Sequence, residues 1–73
     1  MRTHRYRIII GGGLGRVACQ AFEEFKIEPN GGHTSLIADL DHAALHGALI
    51  RIQSLGLELI ELARTSKETA DRR

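Results

Sequence analysis

The stretch YRIIIGGGLGRVACQAFEEF, residues 6–25, decides how this chain is expected to fold. It begins with the alternation of a β-strand, in which Tyr6, Ile8 and Ile10 share one face and Arg7 and Ile9 lie on the other. Glycines follow, and then apolar residues recur at spacings of three and four, as on the core-facing side of an amphipathic helix. The members of this stripe are Leu14, Val17, Ala18, Ala21, Phe22 and Phe25.

The next segment predicts a β-hairpin. Residues 25–28 alternate, Pro29-Asn30-Gly31-Gly32 is a cluster of turn residues, and residues 34–40 alternate again. Glycine and asparagine tolerate the positive φ that tight hairpin turns require.

A second helix follows the hairpin and is bounded by recognisable caps. Asp41 is the expected N-cap, or Asp39 if the helix starts earlier, and Gly56 occupies the position of a C-terminal capping glycine. Extended character resumes over residues 57–63. The apolar stripe of the helix is formed by Ala44, Leu45, Ala48, Leu49, Ile52 and Leu55.

The predicted order is strand, helix, strand, strand, helix, strand. With right-handed crossovers this order gives an α+β fold of the ferredoxin-like βαββαβ type, with two helices on one face of a four-stranded antiparallel sheet. We assign residues 1–64 to this single domain and residues 65–73 to a polar C-terminal tail, which is expected to be frayed.

Size and charge restrict the partners. A domain of 73 residues has a marginal core, and its single cysteine, Cys19, allows no internal disulfide, so self-association is the expected support. Ten basic and nine acidic residues give a net charge of +1, which favours neither nucleic acid nor a membrane surface. The three isoleucines after the basic N-terminus are too few for a signal peptide or membrane span, and a cytoplasmic location is predicted.

The glycine run resembles a nucleotide-binding loop only superficially. The fingerprint GxGxxG, aligned on Gly11 and Gly13, requires a third glycine where Arg16 stands, and no GxxxxGK[ST] motif occurs. No cofactor is therefore predicted. Backbone amides at the start of a helix still attract anions. The loop is accordingly the predicted site for a small anionic metabolite, and its residues are Gly11, Gly12, Gly13, Leu14 and Gly15.

The sheet face without helices is the predicted dimer interface. It combines polar residues with a few apolar ones, and the last strand carries apolar residues in both phases. An apolar patch on a polar surface favours a homodimer packed sheet to sheet or edge to edge. The residues assigned to this interface are Ile9, Ile37 and Leu59.

The sequence predicts neither catalytic residues nor a metal site. His42 and His46 are four residues apart and share a helix face, so they are the candidates for metal ligands, with His33 or Asp39 as further donors. Two imidazoles are too few for a tight site, and exposed helix histidines are the simpler interpretation.

The chain resembles the ACT-type regulatory domains. The similarity covers most of residues 5–64 and is carried by Gly13, Leu14 and Val17 in the loop that opens the first helix; the acidic residue and proline usual before that glycine are replaced here. The resemblance implies a ligand-sensing or assembly module that binds effector amino acids at a dimer interface near residues 11–14.

Two functions remain open from the sequence. The preferred hypothesis is a small non-catalytic interaction or regulatory module that homodimerises through its sheet and binds a small anionic ligand at the glycine-rich loop. The alternative is a small enzyme or enzyme subunit of the dimeric α+β barrel type, with an apolar pocket and a histidine that acts as acid or base.

Overall fold

The computed structural model describes residues 2–65. These residues form an α+β fold with a four-stranded antiparallel sheet and two helices, as the sequence predicts. The elements are β1 (His4–Gly11), α1 (Arg16–Ala21), β2 (Lys26–Asn30), β3 (His33–Leu40), α2 (His42–Ser54) and β4 (Leu59–Thr65).

The strand order in the sheet is β2-β3-β1-β4, and every neighbouring pair is antiparallel. The first strand therefore lies inside the sheet, where it pairs with β3 on one side and with β4 on the other. The strands β2 and β4 form the two edges. Each edge strand has a row of backbone groups without a neighbouring strand.

The core lies between one face of the sheet and the two helical segments. Ile8, Ile10 and Leu36 contribute fully buried side chains from the two central strands, since alternate residues of a strand share a face. The helical side of the cluster consists of Phe22 and Phe25, which follow α1, and of Ala48 and Ile52 of α2.

The hairpin prediction is confirmed, with a tighter turn than expected. Gly31 and Gly32 alone connect β2 to β3, and their φ values of 53° and 89° are both positive, as a two-residue type I′ turn requires. Pro29 and Asn30 belong to β2 and pair with Thr34 and His33.

The first helix is shorter than its apolar stripe predicts. It spans Arg16–Ala21, and Val17, one member of the stripe, is 72% exposed. Phe22 leaves the helical conformation with φ of −124°. Because the chain turns there, Phe22 and Phe25 reach the core from outside the helix.

One residue of α2 holds the end of α1. The Arg51 guanidinium donates hydrogen bonds to the Ala21 carbonyl oxygen and to the Glu24 carboxylate, the latter at 3.0 Å. It also lies 5.2 Å from the ring centre of Phe22 and 6.0 Å from that of Phe25. The last turn of α1 is thus held by one side chain that makes polar and cation-π contacts at once.

The second helix has the caps that the sequence predicts. The Asp41 carboxylate accepts a hydrogen bond from the Ala44 amide at 2.7 Å, and Gly56 follows the helix with φ of 71°. The last strand begins at Leu59 instead of residue 57 and continues to Thr65. The rest of the predicted tail, residues 66–73, lies outside the described residues.

Candidate functional site

The edge strand β4 carries a concentration of exposed apolar side chains. Leu59, Ile60 and Leu62 are 45%, 45% and 40% exposed, and they are three of the six large hydrophobic residues exposed in the described part of the chain. Leu62 lies opposite Ile8 and Leu59 opposite Ile10, so both project from the helix-bearing face. Scattered exposed hydrophobic residues are ordinary, but three on one edge strand make this edge unusually apolar.

The pairing of β4 with β1 shifts at Ile60. Ile9 lies opposite Glu61 and Ile10 opposite Leu59, so Ile60 is an extra residue without a partner in β1. An extra residue of this kind is a β-bulge, which changes the phase of the strand. A Cβ atom added at Gly11 would lie 3.5 Å from the Ile60 side chain, which places Ile60 at the helix-free face.

The opposite edge, β2, differs in composition. It has five residues, and these include Lys26 and Pro29. Lysine and proline on an edge strand oppose the addition of another strand, because proline lacks an amide hydrogen and lysine keeps its charge in water. The seven residues of β4 include neither type.

The helix-free face of the sheet, which we name the open face, is polar with two isoleucines at its centre. Ile9 and Ile37 are both half-buried there. Leu59 does not join them, because the bulge at Ile60 reverses the phase and turns Leu59 to the helix side. The three residues predicted for the interface therefore do not share one face. The polar and small residues of the open face are Arg5, Arg7, Gly11, Lys26, Glu28, Asn30, His33, Ser35, Asp39, Glu61, Ala63 and Thr65.

Ion pairs occupy part of the open face. Arg5 donates to Asp39 at 2.9 Å, and this hydrogen bond and the nearby carboxylate charge raise the pKa of Arg5. Lys26 lies 3.3 Å from Glu28. Both pairs are solvent-exposed, so each contributes little to stability.

A cavity of about 610 Å³ opens on this face. It lies where β1 and β2 begin and β3 and β4 end. Its lining combines charged side chains with two apolar ones and consists of Arg5, Arg7, Glu24, Lys26, Ile37, Ala38, Asp39 and Thr65.

The glycine loop is tied to the rest of the protein by its first residues. The Gly11 amide donates to the Glu58 carbonyl oxygen at 2.9 Å, and the Gly12 amide donates to that of Gly32 at 2.8 Å. The buried Thr34 hydroxyl donates to the Gly12 carbonyl oxygen at 2.8 Å.

These bonds leave less of the loop for a ligand than the sequence suggests. Two amides of the predicted anion site, those of Gly11 and Gly12, are used inside the protein. Gly15 is the N-cap of α1, and because glycine has no side chain, the first amides of the helix receive no side-chain cap. Binding of an anion at this loop, Gly13 and Leu14 included, stays a prediction.

The histidines lie apart from the cavities. His33, His42 and His46 are exposed, and no group of three potential metal ligands occurs within residues 2–65. A second cavity of about 290 Å³ lies between α2 and β4 on the helix side. The five residues that line it are Leu49, Ile52, Gln53, Leu57 and Leu59, so no histidine faces it.

Sequence reasoning missed two features of these surfaces. The first is the apolar edge at β4. The sequence shows that the last strand has apolar residues in both phases, Ile60 and Leu62 among them, but it does not show that this strand lies at an edge of the sheet. The positions of Arg7 and Lys26 beside Ile37 depend on the register of three strands. Both features can be predicted only when the order and register of the strands are known.

This chain belongs to the family described as a domain of unknown function (DUF8691), whose model matches residues 5–63. No curated protein and no solved structure shows a significant match to it. Within the described residues no helix is long and apolar enough to cross a membrane.

Proposed function

We propose that this member of the family is a non-catalytic interaction module that forms a homodimer by pairing β4 with β4 of a second copy. The observation that carries the proposal is the exposed apolar surface of this edge strand. Pairing of edge strands satisfies the outward backbone groups and extends the sheet to eight strands. It also removes apolar side chains from water, which a small domain with a marginal core needs.

We further propose that the fold is ferredoxin-like. The order βαββαβ, with buried residues of both helical segments packed against one sheet face, supports a ferredoxin-like arrangement. The helix-free face then stays open on both copies. A regulatory role of the ACT type is a hypothesis that rests on the resemblance of the loop sequence.

Symmetry restricts how two copies of β4 pair. In an antiparallel pair about a two-fold axis perpendicular to the sheet, side chains on the same face lie opposite one another. Leu62 and Arg64 face the helix side, whereas Glu61 and Ala63 belong to the open face. The two-fold axis therefore passes beside one residue of β4, which pairs with the same residue of the second copy.

A pairing centred on Leu62 satisfies the side chains best. It places Leu62 opposite Leu62 of the second copy, and Glu61 opposite Ala63. A centre at Glu61 would oppose two carboxylates, which is destabilising, and a centre at Ala63 would set Leu62 against Arg64.

The test is Leu62→Lys, measured by sedimentation equilibrium over a range of concentrations. We expect the parent chain to form a dimer and the variant to dissociate at least about a hundredfold more readily, because two leucines leave the interface and two ammonium groups oppose each other. Ile50→Lys is the matched control, since Ile50 is a similarly exposed apolar residue on α2. We expect it to leave the dimer intact.

Two results would overturn the proposal. One is a parent chain that stays monomeric at all concentrations. The other is a Leu62→Lys variant that is folded by circular dichroism and dimerises as the parent does.

A further inference from the structure

We propose that the cavity on the open face binds a small organic anion with an apolar portion. Its volume of about 610 Å³ lies within the range of ligand pockets, which is roughly 300–1,000 Å³. All four strands contribute to its wall, and the turn before β2 adds Glu24.

The side chains that line the cavity carry a net positive charge. Three cations, Arg5, Arg7 and Lys26, and two carboxylates, Glu24 and Asp39, line it, which gives a net charge of +1. Arg5 and Asp39 bind each other. The Glu24 carboxylate is held by Arg51, which lies outside the lining.

Arg7 is the cation available for a ligand. Within residues 2–65 it forms no ion pair, although it lies in the middle of the sheet face. Its planar guanidinium presents donors in a fork that matches a carboxylate or phosphate. Lys26 is paired only with an exposed Glu28, and this weak interaction leaves it able to turn towards a second anionic oxygen.

The apolar part of the site lies between these two cations. Arg7 is opposite Ile37 on one side, and Lys26 is opposite it on the other. Because neighbouring strands are about 4.8 Å apart, both side chains are long enough to meet an anion placed above the isoleucine. A ligand whose anionic group binds Arg7 can therefore pack its apolar chain against Ile37. Ile37 is half-buried, and Ala38 also lines the cavity.

This site is independent of the proposed dimer. Strand pairing at β4 extends the sheet in its own plane, so the open face of each copy stays accessible. An experiment can therefore contradict the proposed ligand site without contradicting the proposed dimer, and the reverse.

Hexanoate is a suitable probe because it combines one carboxylate with a short apolar chain. We expect titration of the ¹⁵N-labelled parent protein to shift the amide resonances of residues around Arg7 and Ile37 saturably. Acetate, which lacks the chain, and hexanamide, which lacks the charge, should each bind at least about tenfold more weakly.

Arg7→Gln should weaken hexanoate binding by at least about tenfold, since it removes the charge-assisted hydrogen bonds. Arg16→Gln is the matched control, because Arg16 is an exposed arginine at the start of α1 and does not line the cavity. Leu62→Lys should bind hexanoate as the parent does. Equal affinities of the parent and Arg7→Gln, or shifts confined to other residues, would overturn the proposal.

Discussion

The two edges of the sheet have opposite chemistry. The strand β2 is short, contains Pro29 and Lys26, and continues through a two-residue turn into its neighbour β3. The strand β4 is longer, lacks both residue types and exposes three large apolar side chains. Natural sheets protect edges that stay in water, and β2 has the features of a protected edge, whereas β4 lacks them.

The largest effect is expected from a cross-linking comparison in a Cys19→Ser background. Leu62→Cys places two thiols opposite each other in the proposed dimer, where Cα atoms of directly opposed residues are about 4.5–5.5 Å apart. We expect most of this protein to form an intermolecular disulfide on mild oxidation, as seen on a non-reducing gel. Glu28→Cys, an exposed position on β2, should give only a few per cent; similar yields for the two would remove the distinction between the edges.

A moderate effect is expected when the protection of β2 is removed. Pro29→Val, introduced into the Leu62→Lys protein, adds an amide hydrogen and a strand-forming side chain to the edge that was blocked. We expect self-association about tenfold tighter than in Leu62→Lys alone, measured by sedimentation equilibrium. An unchanged equilibrium would mean that Pro29 does not protect this edge.

The smallest effect concerns the segment that leads into β2. The hydrogen bond from Arg51, a hydrogen bond to the Glu24 backbone and the arginine charge together hold the pKa of Glu24 below its usual 4.5. A depressed carboxylate pKa stabilises the fold above the unfolded-state pKa, and this contribution disappears as the pH falls through the folded-state value.

We therefore expect Glu24→Gln to lose about 0.5 kcal/mol of unfolding free energy at pH 7, because the pair is exposed, and to match the parent near pH 3. Urea denaturation at the two pH values measures this difference. Glu23→Gln, at the exposed neighbouring carboxylate, serves as the control. A loss at pH 3 equal to that at pH 7 would contradict the assigned role of the ion pair.

Local signals predicted the hairpin and α2 well. Gly31 and Gly32 adopt the positive φ of a tight turn without steric cost, so the turn can be predicted from these two residues alone. Asp41 caps α2 through a hydrogen bond to the Ala44 amide, three residues along the chain. The first helix was predicted too long, because residues at spacings of three and four also fit a short helix followed by a turn. Only the packing of Phe22 against Arg51 shows where that helix ends.

The interface residues depended on non-local information. Ile9 and Ile37 were placed correctly on one face, since period two holds along regular strands. Leu59 was placed on the wrong face because a bulge adds one residue to the count, and a single sequence does not reveal where a bulge occurs. The row formed by Lys26, Ile37 and Arg7 appears only when strands from three parts of the chain are in register.

The position of β1 inside the sheet has a consequence for synthesis on the ribosome. Its pairing partner β4 is translated after all the other elements, so one side of β1 stays unpaired until the chain has been made through Thr65. During that interval the strand richest in isoleucine presents an open edge to neighbouring nascent chains. Two such chains that exchanged their β4 strands would form the same β1 contacts reciprocally.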